Sequence, residues 1–477
     1  MTVSRRSAIQ GIAASGAAIG LASQARASGT ATPNAPDPTH SNRFNPPMEA
    51  PRPKALNGLL LNKERARAVL EAAKVDLLIC SDSRNYYYLT GHETGSQLLG
   101  YDAGIDIATL SAHGDNKPTM ITSQIGLYFA GTPREQLDHL DVVIVGFPAD
   151  FEGFSKLTDP REIANAPGAP FTPRRNTINP ESASEAYRHT LIARESKDIR
   201  GSIEAATLKQ LLDNPLPNKT VAVDDPRIRQ LLERSGKDLK FVDGERLIRK
   251  IRIQKSPMEL QLMRYAAAAN AAAGRAAALQ VRNGATFDDV RDLFWQEAAK
   301  RSNTGVFMMI DTLMSRMSQG EVKEGRAFLI DCVSTFRGYH GDFGRTVCVG
   351  EPNRDMAKII QGLSTTWDRL REEIKIGMKF SEILALGNKL FKDTNIDVGY
   401  ALGPHTIGLN HSDDENVAGF GSYQKADIAL EENMVLSIDM PLLDSGLGGS
   451  AHLEDLVIMT KDGAELINDS SDRFMIV

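Results

Sequence analysis

The segment FLIDCVSTFRGYHGDFGRTVCVG, residues 328–350, sets two aspartates, Asp331 and Asp342, inside an otherwise apolar and β-branched run. Its ends read as two strands and its FRG centre as a tight connection. A hairpin turning symmetrically between Phe336 and Arg337 puts Asp331 directly opposite Asp342. Opposed Cβ atoms lie about 4.5 to 5.5 Å apart, where like charges destabilise a sheet. A positive group would remove that cost, whether Arg337, Arg345 or a bound cation. Three later segments carry further ligand-type side chains: GPHTIGLNH holds His405 and His411, MVLSIDMP places Asp439 at the end of a strand-like run, and AHLEDLVIM places Glu454 at the head of another. His340, His405, His411 and His452, the four histidines beyond residue 245, all fall in these segments. Singly, each residue has an ordinary explanation: His405 as a loop histidine, Asp439 as a strand terminator, Glu454 as part of a solvated acidic edge with Asp455. As an ordered set, Asp331, Asp342, His405, Asp439 and Glu454 offer mixed oxygen and nitrogen donors for divalent first-row ions, with charge enough for two. Two ions about 3.5 to 4 Å apart lower the pKa of a shared water and polarise a carbonyl.

The elements that must position these residues follow from local signals. In KSPMELQLMRYAAAANAAAGRAAALQ, Ser256 can cap a helix, Pro257 suits its first position and Glu259 completes a capping box. GATFDDV from Gly284 and GMKFSEI from Gly377 repeat one pattern, each after one helix and before another. The order helix, glycine turn, helix, strands thus occurs twice and predicts two related halves with a site between them. Upstream, from 58 to 245, helix-like KERARAVLEAAK and strand-like VDLLIC, DVVIVGF and TVAVDD predict an α/β domain, with SDSRNYYYLTGH after its first strand. No phosphate-cradling glycine loop is present.

Residues 28–57 are rich in proline and polar side chains and read as a disordered linker. Residues 1–27, with the paired arginines of SRRSAIQ, a weakly apolar stretch and a small-residue site ending at Ala27, read as a twin-arginine-type export signal. The expected location is therefore periplasmic or secreted. A length of 477 residues accommodates two domains, and the formal charge of -6 without a basic aromatic run argues against nucleic acid as a partner. Cys80, Cys332 and Cys348 are too few and scattered for a disulfide framework and read as buried thiols. No stretch is long and apolar enough to be a transmembrane helix.

The order Asp331, Asp342, a histidine in a GxHxIGL context, an acid in MVLSID and Glu454 in LED resembles the metallopeptidases of the pita-bread fold. These include Xaa-Pro aminopeptidase, prolidase, methionine aminopeptidase and creatinase. The D…GYxxDxxRT hairpin, with Tyr339, Arg345 and Thr346 in place, is its strongest motif, and NYYYLTGH resembles the creatinase-type N-terminal domain. The resemblance implies an α/β N-terminal domain over 58–245 and, over 246–477, an α+β domain of two related halves around a curved antiparallel sheet. It implies a dinuclear centre held by Asp331, Asp342, His405, Asp439 and Glu454, with Asp342 and Glu454 bridging. The metal would be manganese first, with cobalt, zinc or iron acceptable. Asp439 would handle the proton of the attacking water and His411 would steady the tetrahedral intermediate. The implied activity is hydrolysis of an amide bond in a short peptide, Xaa-Pro peptides by family default, in a homodimer. Creatinase-like or lyase chemistry on a small non-peptide substrate, and non-catalytic binding, are the alternatives. The sequence departs from the family at four places. Asp439 stands for a glutamate, His411 follows His405 by six residues instead of seven, and His452 occupies a position where proline-directed members often have arginine. The substrate-side histidine expected before Asp331 is missing.

Overall fold

A computed structural model describes residues 50–56, 58–94, 106–175, 179–317, 320–417 and 424–477, all within one compact unit. The export-signal segment 1–27 and residues 28–49 of the expected linker lie outside the described residues. Of the linker's last residues, Leu56 packs against a hydrophobic core and the Lys54 carbonyl accepts a hydrogen bond from Arg337.

The first half of the chain builds a mixed sheet. Its strands are β1 Leu77–Cys80, β2 Ile107–Ser111, β3 Thr119–Ser123, β4 Asp141–Val145, β7 Ile199–Arg200, β8 Thr220–Val223 and β9 Lys240–Asp243, with β5 Phe147–Pro148 and β6 Gly168–Ala169 forming a separate two-stranded ribbon. The spatial order is β7-β4-β3-β2-β1-β8-β9. β1 pairs in parallel with β8 and antiparallel with β2. Every residue of β1 is buried, which is why LLIC is a continuous apolar run instead of an alternating one. The NYYYLTGH stretch forms the helix Ser83–Thr90, opened by the Asp82 side chain and closed by Gly91 at φ +65°.

The second half builds an antiparallel sheet, β10 Thr304–Ile310, β11 Phe328–Phe336, β12 Tyr339–Cys348, β13 His405–Thr406, β14 Val435–Leu442 and β15 Ala451–Thr460, in the order β10-β11-β12-β15-β14-β13. β16 Gly463–Leu466 pairs with β15, and β17 Phe474–Ile476 runs parallel to β12. The helix Pro257–Ala278 starts with the expected capping box between Ser256 and Glu259. Its alanine-rich face lies close on the hairpin: a Cβ on Gly341 would come within 2.4 Å of the Ala266 carbonyl oxygen, and Asn270 Nδ2 donates to the Cys332 carbonyl at 2.7 Å.

The twofold repeat is built into the backbone. Gly284 and Gly377 both take a positive φ, +82° and +92°. Gly284 N–H donates to the Val322 carbonyl at 2.8 Å and Gly377 N–H to the Leu430 carbonyl at 2.9 Å; Phe287 N–H donates to Gly320 and Phe380 N–H to Ile428. Carrying the step from Val322 to Leu430 along the chain takes Asp331 to Asp439. Asp331 and Asp439 are thus themselves related by the repeat.

One register expectation is corrected. The hairpin turns at Arg337 and Gly338, whose φ values are +48° and +81°, so Phe336 pairs with Tyr339, Asp331 with Gly344 and Val333 with Asp342. A two-residue turn that follows the strand twist needs positive φ at both turn positions. Gly338 accepts this freely, whereas a turn centred one residue earlier would impose it on the bulky Phe336. Asp331 and Asp342 therefore lie on one face as diagonal neighbours, a relation that sets residues about 7 to 8 Å apart with their Cβ atoms somewhat closer, not as an opposed pair.

Candidate metal centre

Five strands and one loop bring the candidate residues to one region of the second sheet. Asp331 sits on β11 and Asp342 on β12. Asp439 on β14 directly opposes Glu454 on β15, and Glu454 opposes Gly344 on β12. His405 forms β13 against Ser437, whose hydroxyl donates to Glu454 Oε1. Asp342, Glu454 and His452 are buried. His405 Nε2 lies 3.8 Å from Asp342 Oδ2 and 3.9 Å from Glu454 Oε1. His411 Nε2 reaches Asp342 Oδ2 at 2.9 Å, despite its altered spacing from His405. All six sequence-predicted site residues are therefore brought together.

The residue that sequence reasoning left outside the donor set is His452. Its Nε2 lies 2.6 Å from Asp439 Oδ1 and 3.6 Å from Glu454 Oε2. Two groups have donor atoms all within 4.8 Å of one another: Asp342, His405 and His411, and Asp331, His452 and Glu454. The signal was available in AHLEDLVIM, because period-two alternation puts His452 and Glu454 on the same face of β15. Gly344 makes room for the ring: a Cβ there would stand 2.4 Å from His452 Cε1 and 2.7 Å from Glu454 Cβ.

The neighbouring charges of the hairpin are otherwise committed. Arg345, fully buried, pairs with the buried Asp455 at 2.7 Å and donates to the Gly344 and Glu454 carbonyls. It fixes the strands from beneath and does not neutralise Asp331 or Asp342. Asp455 is thereby a structural carboxylate and not a solvated edge.

Burial and mutual repulsion raise the acids that lack a counter-ion. Burial, then the Asp342 charge, pushes Asp331 up to about 8. Burial and the charges of Asp342, Asp439 and Asp331 hold Glu454 well above the ordinary range. Burial would also raise Asp342, but His411 and the other imidazoles outweigh it and hold its carboxyl low. The same contact overcomes burial at His411 and lifts it to about 9. Asp331 Oδ1 and His452 Nδ1 are buried with no hydrogen-bond partner. A cluster of acids that cannot all ionise unaided, with an orphaned carboxylate oxygen and three imidazoles, is a donor set that fits divalent cations.

The loop carrying His411 is anchored by Arg252 and Lys255 and, through Arg252, by Asn85 of the first half. Arg252, itself buried, bonds Asn85 Oδ1 at 2.6 Å and pairs with the buried Asp413, which Lys255 also approaches at 3.4 Å. Burial would raise Asp413, yet these two cations hold it far below the usual carboxylate range. Beside this loop a cavity of about 520 Å³ is lined by Arg84, Arg249, Thr335, His340, Asn410 and His411, among others.

Residues 261–461 match the family model of metallopeptidase family M24. Among curated relatives, the probable dipeptidase PepE of Mycobacterium tuberculosis is 29% identical over 163 residues, 34% of this chain and 42% of the relative. The Xaa-Pro dipeptidase of Lactobacillus delbrueckii subsp. lactis is 28% identical over 162 residues, again 34% and 42%. The chain thus matches less than half the length of these relatives. Among solved structures, the Xaa-Pro dipeptidase from Bacillus anthracis aligns with TM-score 0.60 and 18% identity over 87% of this chain and 98% of that one. The prolidase from Pyrococcus horikoshii OT3 aligns with TM-score 0.57 and 15% identity over 85% and 97%. These likenesses establish the prolidase-type fold.

Proposed function

We propose that this chain, which belongs to metallopeptidase family M24 through residues 261–461, hydrolyses an amide bond of a short peptide at a dinuclear metal centre. Peptides of the Xaa-Pro type are the first class to test, since curated relatives carry the name Xaa-Pro dipeptidase. The observation that carries this reading is the convergence of Asp331, Asp342, His405, His411, His452 and Glu454 into two adjoining three-donor groups. Asp342, His405 and His411 would hold one ion and Asp331, His452 and Glu454 the other, with Asp439 completing the set. Manganese suits such oxygen-rich donors, as do cobalt, zinc and iron. Bound ions would supply Lewis-acid activation of a water and of the scissile carbonyl.

The chain's own residues supply the rest. Asp439, whose Oδ1 lies 2.6 Å from His452 Nε2 in the metal-free site, would take a proton from an attacking water. His411, partly exposed toward the cavity, is kept cationic by Asp342 only while no ion is held; as a neutral ligand it would keep its other ring N–H as a donor to negative charge developing on a carbonyl oxygen. The leader SRRSAIQ supports export, and dimerisation through the first half is the arrangement we adopt by family analogy. The test is a panel of free dipeptides with and without proline, assayed by amino-acid release from manganese-loaded protein. Hydrolysis abolished by chelation and restored by the metal is expected. A protein that binds its ions and cleaves no peptide would overturn the reading.

A further inference from the structure

We infer that Arg84 binds the free C-terminal carboxylate of the substrate, so that the site selects short peptides by their charged end. This inference rests on the peptidase reading above for the identity of the ligand. A cavity of about 520 Å³ is in the range that encloses small ligands and suits a di- or tripeptide. Its lining includes His411, whose Nε2 touches the buried Asp342. Its lining includes two arginines and two histidines and no carboxylate. The lining is therefore cationic, with the carboxylate cluster reached only through His411, and it favours the negative terminus of a peptide.

The two arginines are not equivalent. Arg249 is committed to the protein: its Nε donates to Glu245 at 2.6 Å, and its Nη1 donates to the Ser412 and Asp414 carbonyls at 3.1 and 3.2 Å. Arg84 pairs with no carboxylate among the described residues. Its Nη1 donates to Asn410 Oδ1, and Asn410 is itself tied back to Asp413 through Nδ2. The nearby Asp82 carboxylate is occupied as a helix cap, accepting from the backbone N–H groups of Arg84 and Asn85. One edge of the guanidinium is thus steadied against the loop that carries His411, and the remaining donors are left for an incoming acid. Arginine presents paired donors that match a carboxylate, and an anchored guanidinium loses less freedom on binding than a free one. Arg84 comes from the first half of the chain and His411 from the second, so recognition of the substrate's end would require both.

The experiment compares Ala-Pro and Ala-Ala, each as free acid and as C-terminal amide, on the manganese-loaded full chain. Hydrolysis is followed by amino-acid release. Binding is followed by calorimetry with the reduced-amide isosteres, which cannot be cleaved, again as acid and amide. The expected result is a preference of at least tenfold for the acid over the amide in wild type. Arg84→Gln should raise Kd and KM for the acid roughly 10 to 100-fold with little change in kcat or in amide binding, and Arg84→Lys should restore part of the preference. Equal treatment of acid and amide by wild type, failure to bind either isostere, or an unchanged preference in Arg84→Gln, would overturn the inference. Arg84-dependent binding of the acids without cleavage of any peptide would uphold the inference and remove the peptidase reading, which separates the two failures.

Discussion

Gly344→Ala reads out whether the His452 ring is seated by the sheet. The added Cβ would lie 2.4 Å from His452 Cε1, 2.5 Å from its Nδ1 and 2.7 Å from Glu454 Cβ, distances that no methyl group tolerates. The ring cannot simply swing aside, because it is buried and its Nε2 is held by Asp439. Overpacking of this kind costs about 1 to 3 kcal/mol. Displacement of the imidazole should also weaken metal binding by roughly 10 to 100-fold, the scale seen when the surroundings of a metal site are disturbed. Urea unfolding of the metal-free protein measures the first effect and calorimetric manganese titration the second. Removing the ring as well, in Gly344→Ala/His452→Ala, should recover about 0.5 to 2 kcal/mol of coupling energy, though only part of the stability, because the Glu454 contact remains. Unchanged stability and unchanged affinity in Gly344→Ala would refute the placement of His452.

Further outcomes follow from other contacts. Asp455→Ala should cost about 3 to 5 kcal/mol in urea unfolding, because it strands the fully buried Arg345 without its partner; a loss below about 1 kcal/mol would show the pair to be solvated. His452→Ala should lower manganese stoichiometry from about two to about one while leaving secondary structure intact by circular dichroism, the ion at Asp342, His405 and His411 being retained. His92, in the first half, is buried and its pKa is depressed to about 4 by that burial. The unfolded chain therefore takes up a proton near pH 6.5 that the folded one refuses until about pH 4. Stability is full above this window and falls on acidification through it, by up to roughly 3 kcal/mol. His92→Gln should flatten the fall in urea midpoint between pH 7 and 5; an identical slope would mean the histidine is solvated.

Much of the second half was legible because its signals are local. The Ser256–Glu259 capping box depends only on near neighbours in the chain, and the turns at Gly284 and Gly377 are announced by the glycines themselves. The donor residues sit within strand-like runs whose alternation sets their faces. What failed depended on which residue joins Arg337 in the left-handed region: with Gly338 there instead of Phe336, the hairpin shifts and Asp331 faces Gly344 instead of Asp342. What was missed depended on contacts distant in sequence. His452 becomes a donor only because Gly344, on another strand, leaves space for its ring. The His411 loop is held by Asn85, Arg252 and Asp413, a set spread over both halves that no local pattern could connect. The equivalence of Asp331 with Asp439 was implicit in the repeated glycine motif, but required the matched hydrogen bonds to extend it into the strands.

The most direct test is the metal content of the full chain purified without chelator and supplied with manganese, beside Asp342→Ala. Asp342 touches His411, lies near His405 and occupies the centre of the cluster. About two equivalents in the wild type, lost in a variant that keeps its circular dichroism spectrum, is the expected result. A folded wild type that takes up no divalent ion, or a variant that binds as many ions as the wild type, would contradict the assignment of this cluster as a dinuclear centre.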